Sequence, residues 1–350
     1  MLKLRLASLL GLMLLFGVTF SQAQEAKKDA AKKDPPKVEP KAEPKAEAKA
    51  PTPSADGKVD FTWKLEKDKV FYQSTTTSTT QSIKVMGMDV NQTQEQVFYF
   101  KWQPLKEEGK KWTIKQTIEG LKMKIDLAGN PIAFDSETSA PAGSQTQLSD
   151  FFKSLKNSEF VLTLNEKMKV EKVEGREEFL KKLGQANAQM EALLKTILTE
   201  DAMKQVTDPT FGFIPPEPKK IGESWKVTTT LNLGPIGTYD NTSTYTYKAK
   251  ESDERHIIEV VSEVTYKAPT DNSAGLPFKI KSADLKTKDK TPGQIVYNAK
   301  AGRVDEARMV LKITGSMKIE IGGNETPVEL NQDQTTVVKI SDKSFVTEKK

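Results

Sequence analysis

A single histidine, His256, and two glutamates on one strand face, Glu259 and Glu263, come nearest to chemistry in this 350-residue chain. A Ser-His-Asp relay or a Cys-His pair would have to use His256, because the chain has no second histidine and no cysteine. The same counts exclude a metal site built from several imidazoles or thiolates. His256 opens the apolar stretch Ile257-Ile258-Glu259-Val260 just after a charged turn, which reads as a side chain at a sheet rim. Two carboxylates can cleave a glycosidic bond when they face each other across a sugar. Glu259 and Glu263 instead alternate with Val260 and Val264, as residues on an exposed sheet face do. Gly-x-Ser-x-Gly, Ser-x-x-Lys, Gly-x-x-x-x-Gly-Lys and calcium-loop patterns are absent. The expectation is a protein without catalysis and without a cofactor.

Charge narrows the partners. The chain carries 53 Lys and Arg against 48 Asp and Glu. Setting aside Lys3, Arg5 and the nine lysines and seven acids of residues 24–58 leaves 42 basic against 41 acidic residues from Val59 onward. A neutral head lacks the basic excess with which proteins meet phosphate, so nucleic acid is excluded as a partner. Lys3 and Arg5 precede the apolar stretch Leu6–Phe20, which is shorter than the roughly 20 residues of a spanning helix. With Ser21 and Ala23 at the cleavage positions, residues 1–23 read as a signal peptide. Residues 24–58 are almost wholly Lys, Ala, Glu, Asp and Pro, with Val38 the one large aliphatic. So little apolar surface cannot offset chain entropy, and a disordered linker is expected. The expected location is periplasmic or extracellular, with stability drawn from burial because no disulfide can form.

The elements that would position a site are mostly strands. Trp112, Ile114, Gln116 and Ile118 alternate with polar residues, and past Gly120 the apolar phase flips to Leu121, Met123, Ile125 and Leu127. One extra residue produces that flip, which predicts a bulge or tight turn at Glu119-Gly120. Alternation returns from Trp225 to Leu233, from Ile258 to Tyr266, and on both sides of Thr314-Gly315-Ser316. Turns at Gly109, Gly129, Gly302 and Gly322-Gly323 make these antiparallel hairpins. The threonine-rich stretches Ser74–Thr80 and Thr242–Thr246 suit a sheet with one solvated face. Val70-Phe71-Tyr72 leading into Thr75-Thr76-Thr77 is echoed by Trp225-Lys226-Val227 leading into Thr228-Thr229-Thr230, and the turns that follow correspond in order. That order fits an internal duplication, and it also fits two unrelated hairpin stretches.

Residues 59–145 and 219–350 are thus two β meanders, and residues 146–218 are an insert with helices, one strand and a proline-rich loop. Phe179, Leu183, Ala186, Met190, Leu193, Leu194 and Ile197 form one apolar stripe on a helix from Arg176 to Leu198, with shorter helices at Ser149–Lys156 and Asp201–Val206. The fold class is mainly β (α+β): curved antiparallel sheets, as duplicated meanders or half-barrels, with the helical insert as a lid. A lipid or other apolar ligand between lid and sheet would touch Phe179, Leu183, Met190 and Leu194, together with Phe211 and Phe213 from the proline-rich loop. Phe211 and Phe213 fit a plug in the core as well.

Lys169-Val170-Glu171-Lys172-Val173-Glu174-Gly175, the helices after it, and Ile221-Gly222-Glu223-Ser224-Trp225 resemble an uncharacterised family of exported bacterial proteins, common in planctomycetes and known only as a domain of unknown function. The resemblance covers most of residues 59–350 and implies no activity and no site residues. In outline the chain is also similar to periplasmic lipoprotein carriers, which implies an apolar partner at the level of fold analogy. The expectation is an exported binding module, a lipid carrier or sensor of the cell envelope. The alternative is a structural protein that joins envelope components through its basic linker.

Overall fold

The computed structural model describes residues 57–138, 152–186, 194–207, 211–270 and 278–346. The signal peptide, and the linker except Gly57 and Lys58, lie outside the described residues. The strands are β1 (Phe71–Val85), β2 (Met88–Glu108), β3 (Lys111–Leu127), β4 (Asn130–Asp135), β5 (Glu159–Leu164), β6 (Val170–Glu174), β7 (Ser224–Asn232), β8 (Thr238–Lys250), β9 (Arg255–Lys267), β10 (Lys279–Thr287), β11 (Gly293–Asn298), β12 (Arg303–Ile321) and β13 (Asn324–Ser341). Between β6 and β7 lie α1 (Arg176–Ala186) and α2 (Glu200–Thr207), with further helical residues at 194–197.

All thirteen strands belong to one antiparallel sheet, ordered β6-β5-β3-β2-β1-β13-β12-β10-β9-β8-β7, with β4 on β3 and β11 between β12 and β9. The two meanders are therefore halves of one surface, joined where β1 pairs with β13 from Tyr72↔Ser341 to Val85↔Val328. Both outer strands, β6 and β7, pack against α2. The Gln205 side chain of α2 accepts a hydrogen bond from the Asn232 backbone N–H of β7 at 3.3 Å. The sheet curls until its two edges share one helix, which covers backbone groups that an open edge would leave bare. Around this ring the strands follow chain order. The duplication echo holds through three strands and fails at the fourth, where six-residue β4 follows one turn and nineteen-residue β12 follows the other.

Local expectations meet mixed outcomes. The bulge predicted at Glu119-Gly120 is present: Tyr99 pairs with Gly120 and Phe100 with Ile118, so Glu119 is the extra residue. Thr314-Gly315-Ser316 does not interrupt its strand, because β12 runs through it. Gly315 is needed there for a close approach: its φ is 152°, and a Cβ would lie 1.9 Å from the Asp284 carbonyl oxygen of β10. The expected helix Asp201–Val206 is α2, and residues 152–155 and 194–197 are helical. The single rod from Arg176 to Leu198 is corrected. The Arg176 guanidinium donates to the carbonyls of Leu198 and of Lys195, the latter at 3.1 Å. A straight helix would hold residues 22 positions apart about 33 Å from each other.

Most strands bury alternate residues, β9 and β11 bury consecutive ones, and two apolar clusters form. The larger joins Trp102, Ile114, Phe160, Phe179, Tyr245 and Tyr297, among others, to a segment that precedes β1. That segment enters by the bridge Val59↔Lys219 and carries Phe61 and Trp63 inward. Phe61 meets Tyr247 and Tyr297 edge-on at 5.2 Å, and Trp63 and Trp102 hold Phe211 between them. The smaller cluster contains Ile83, Phe278, Ile280, Ile313, Ile319 and Val328.

Candidate functional site

The residues first singled out for chemistry sit in local hydrogen bonds and ion pairs. His256 is buried, and its Nε2 faces the Asp253 carbonyl at 3.3 Å, which can only accept. Nε2 therefore carries the proton, and Nδ1 accepts from the Tyr247 hydroxyl at 2.7 Å. Desolvation by burial pushes His256 below its ordinary value of 6.5, although the Asp253 carbonyl opposes it, and the ring is neutral at pH 7. Glu259 pairs with Lys248 at 3.2 Å and Glu263 with Lys290 at 2.9 Å, both partly exposed. The two carboxylates are held in separate surface ion pairs.

Five of the six expected ligand contacts lie in the packed interior. Phe179 packs edge-on against Phe160 at 5.1 Å, Leu183 and Leu194 join the larger cluster, Phe211 fills the space between Trp63 and Trp102, and Phe213 lies against Tyr245. The Trp225 indole N–H donates to the Phe213 carbonyl at 2.6 Å, which fixes the proline-rich loop. Met190 lies outside the described residues.

Between the two apolar clusters the interior is polar. Pairing of β2, β1 and β13 sets Gln92, Gln81 and Gln332 side by side, then Gln94, Thr79 and Gln334, then Gln96, Thr77 and Thr336. These nine residues form a three-by-three grid on one face, with about 4.8 Å between strands and about 6.8 Å between successive rows. None carries charge. All are buried except Thr79, which is partly exposed although it points inward. One row continues through the pairs Gln332↔Ile313 and Ile313↔Thr287; the Thr287 hydroxyl accepts from the Val264 N–H at 2.7 Å, and Val264 pairs with Asn241. Ile313 and Val264 in this row are buried and apolar, so the grid ends at β13 and Asn241 is a separate polar residue on the opposite wall.

The grid satisfies itself only in part. Gln92 Nε2 donates to Gln94 Oε1 and Gln332 Nε2 to Gln334 Oε1, each at 3.3 Å, and Thr77 and Thr336 share a hydrogen bond of 3.2 Å. Gln81 Nε2, Gln92 Oε1 and both amide atoms of Gln96 have no partner. An unpaired buried polar group costs about 1–3 kcal/mol. Four in one patch are a heavy load for a fold whose net stability is about 5–15 kcal/mol. Such atoms are the ones a hydrogen-bonding guest would satisfy. Sequence reading passed over the grid because its search for alternation followed apolar residues; the signal was Gln92-x-Gln94-x-Gln96 and Gln332-x-Gln334-x-Thr336, polar at period two.

A second feature is smaller. A cavity of about 50 Å³ lies beside the aromatic plug, lined by Trp63, Phe71, Pro104, Arg303 and Asp342 among others. Trp63 Nε1 and Arg303 Nε have no partner, while Arg303 Nη1 sits 2.7 Å from Asp342 and its hydrogen bond holds that carboxyl below the usual carboxylate range. A space of this size suits one or two waters.

Residues 109–325 match the profile of a family of unknown function, DUF6263. No curated protein matches the chain by sequence. Among solved structures, a lipovitellin concerned with lipid–protein interactions aligns with 82% of this chain and 27% of its own, at 7% identity and a TM-score of 0.41. This chain therefore spans about a quarter of that one. Pseudomonas aeruginosa OccK5 (OpdH) aligns with 78% of this chain and 98% of its own at 5% identity and a TM-score of 0.22. Salmonella typhi OmpF in complex with daunomycin aligns with 77% and 99% at 6% identity and a TM-score of 0.21. Scores this low carry no argument about function.

Proposed function

Because the chain belongs to DUF6263, a family that brings no activity with it, we propose from its own geometry that it is an exported, non-catalytic binding module that holds an amphiphilic, lipid-class ligand inside the curled sheet. The apolar part of the ligand lies against the cluster around Ile313 and Val328, and its polar part lies at the glutamine grid. The module works in the cell envelope, with residues 24–58 as its tether. The observation that carries this reading is the uncharged grid of β2, β1 and β13 with its unpaired amides, set between two apolar clusters. A core that served stability alone would have apolar residues there.

The test is native mass spectrometry and solvent extraction of the full chain purified from its envelope fraction. A co-purifying amphiphile at near-unit stoichiometry is expected. A protein that emerges without one, and that takes up none from a lipid extract, overturns the reading. Deleting residues 24–58 tests the rival envelope-scaffold role: envelope association lost with ligand content unchanged favours the scaffold.

A further inference from the structure

We infer that the grid recognises an uncharged, polyhydroxylated head group, a sugar or similar polyol; the inference rests on the binding reading above and names its ligand class. The unpaired atoms comprise donors, Gln81 Nε2 and Gln96 Nε2, and acceptors, Gln92 Oε1 and Gln96 Oε1. Amide oxygen and nitrogen exchange by a flip of the side chain, so each glutamine offers either role. An anion would meet amide oxygens, and a cation would meet amide N–H groups, with no lysine, arginine or carboxylate among the nine grid residues to compensate either. A hydroxyl both donates and accepts through one atom, and several hydroxyls on one frame match several amides on one face. Phe98 follows Gln96 two positions along the same face of β2 and is buried. It gives a ring on which the C–H face of a sugar can lie, while the hydroxyl edge turns to the grid.

The test uses the full chain and four probes that share a dodecyl chain: dodecyl glucoside, dodecanol, dodecanoate and dodecyltrimethylammonium, each titrated calorimetrically below its micelle concentration. Dodecyl glucoside is expected to bind about ten-fold or more tightly than the other three, the worth of one or two well-made neutral hydrogen bonds. Gln96→Met and Gln81→Met keep side-chain length and remove the amide. Each is expected to weaken glucoside binding about ten-fold and to weaken dodecanol, with its single hydroxyl, by less, with folding checked by circular dichroism. Equal binding of all four probes leaves the binding reading standing and overturns the head-group inference. Glucoside preference that survives both substitutions overturns it too. Failure of every probe to bind overturns the inference together with the reading beneath it.

Discussion

Two polar patches lie on different strands of the sheet, and they behave differently. On β8 and β9, Asn241 donates to Ser243 at 3.1 Å, and the Ser243 and Ser262 hydroxyls lie 2.9 Å apart. On β2, β1 and β13, four amide atoms remain unpaired. Serine and asparagine are short, so their polar atoms stay near the sheet and meet a neighbour across the strand or two residues along it. Glutamine places its amide one methylene farther out and with more rotamer freedom. The lesson is that burial of polar groups does not itself mark a site; long side chains left unsatisfied do.

Substitutions can sharpen or break that contrast. The largest effect is expected outside both patches: Trp102→Ala, at 0% exposure among rings, should cost about 3–5 kcal/mol. A urea midpoint lowered by less than about 1 kcal/mol-equivalent would mean that the aromatic end does not hold the ring together. Next comes Ser243→Ala, which removes the acceptor of Asn241 and should cost about 1–3 kcal/mol. Gln96→Met should have the opposite sign, neutral or stabilising by up to about 1 kcal/mol, because it removes two unpaired polar atoms without leaving a partner behind. If Ser243→Ala and Gln96→Met destabilise equally in denaturant melts, the two patches are alike and the grid is ordinary core.

The smallest effect is a pH dependence. His256 is depressed in the fold by desolvation, so the unfolded chain takes up a proton that the folded site resists. Its contribution is complete above 6.5 and declines as pH falls below that value toward the folded one. Comparing urea midpoints at about pH 7.5 and about pH 5, His256→Gln should show a shallower acid loss than the native chain. An unchanged slope would show that the histidine stays neutral in both states or titrates in both alike.

Much of the architecture was readable because its signals are local. Alternation from Trp112 to Leu127, with its phase change, located both a strand and its bulge. Glycine-bearing turns marked the hairpins, and the short helix expected at Asp201–Val206 is α2. Closure was not readable, since nothing near Val85 announces that Val328 is its partner. The fold-back of the residue 176–198 stretch rests on contacts of the Arg176 guanidinium with carbonyls far along the chain, which periodicity does not encode. The grid went unnoticed for a related reason. In Ser74–Thr80 both faces are polar, so period two reveals a strand without saying which side is inside. Ser78 and Thr80 are exposed, as expected, yet Thr75 and Thr77 are buried. The aromatic and leucine positions taken for ligand contacts were the better core formers, and the core took them.

The joint at α2 sets how such an interior would exchange its contents. Parting two antiparallel neighbours means breaking a whole zipper of amide bonds at once, whereas β6 and β7 are held beside each other by a helix of eight residues leaning on both. Tilting that small prop unseals the cylinder along its length and leaves every ladder intact. The seam between the two outer strands thus rests on Ala202 and Met203, the buried residues of the prop, and not on a ladder of the wall.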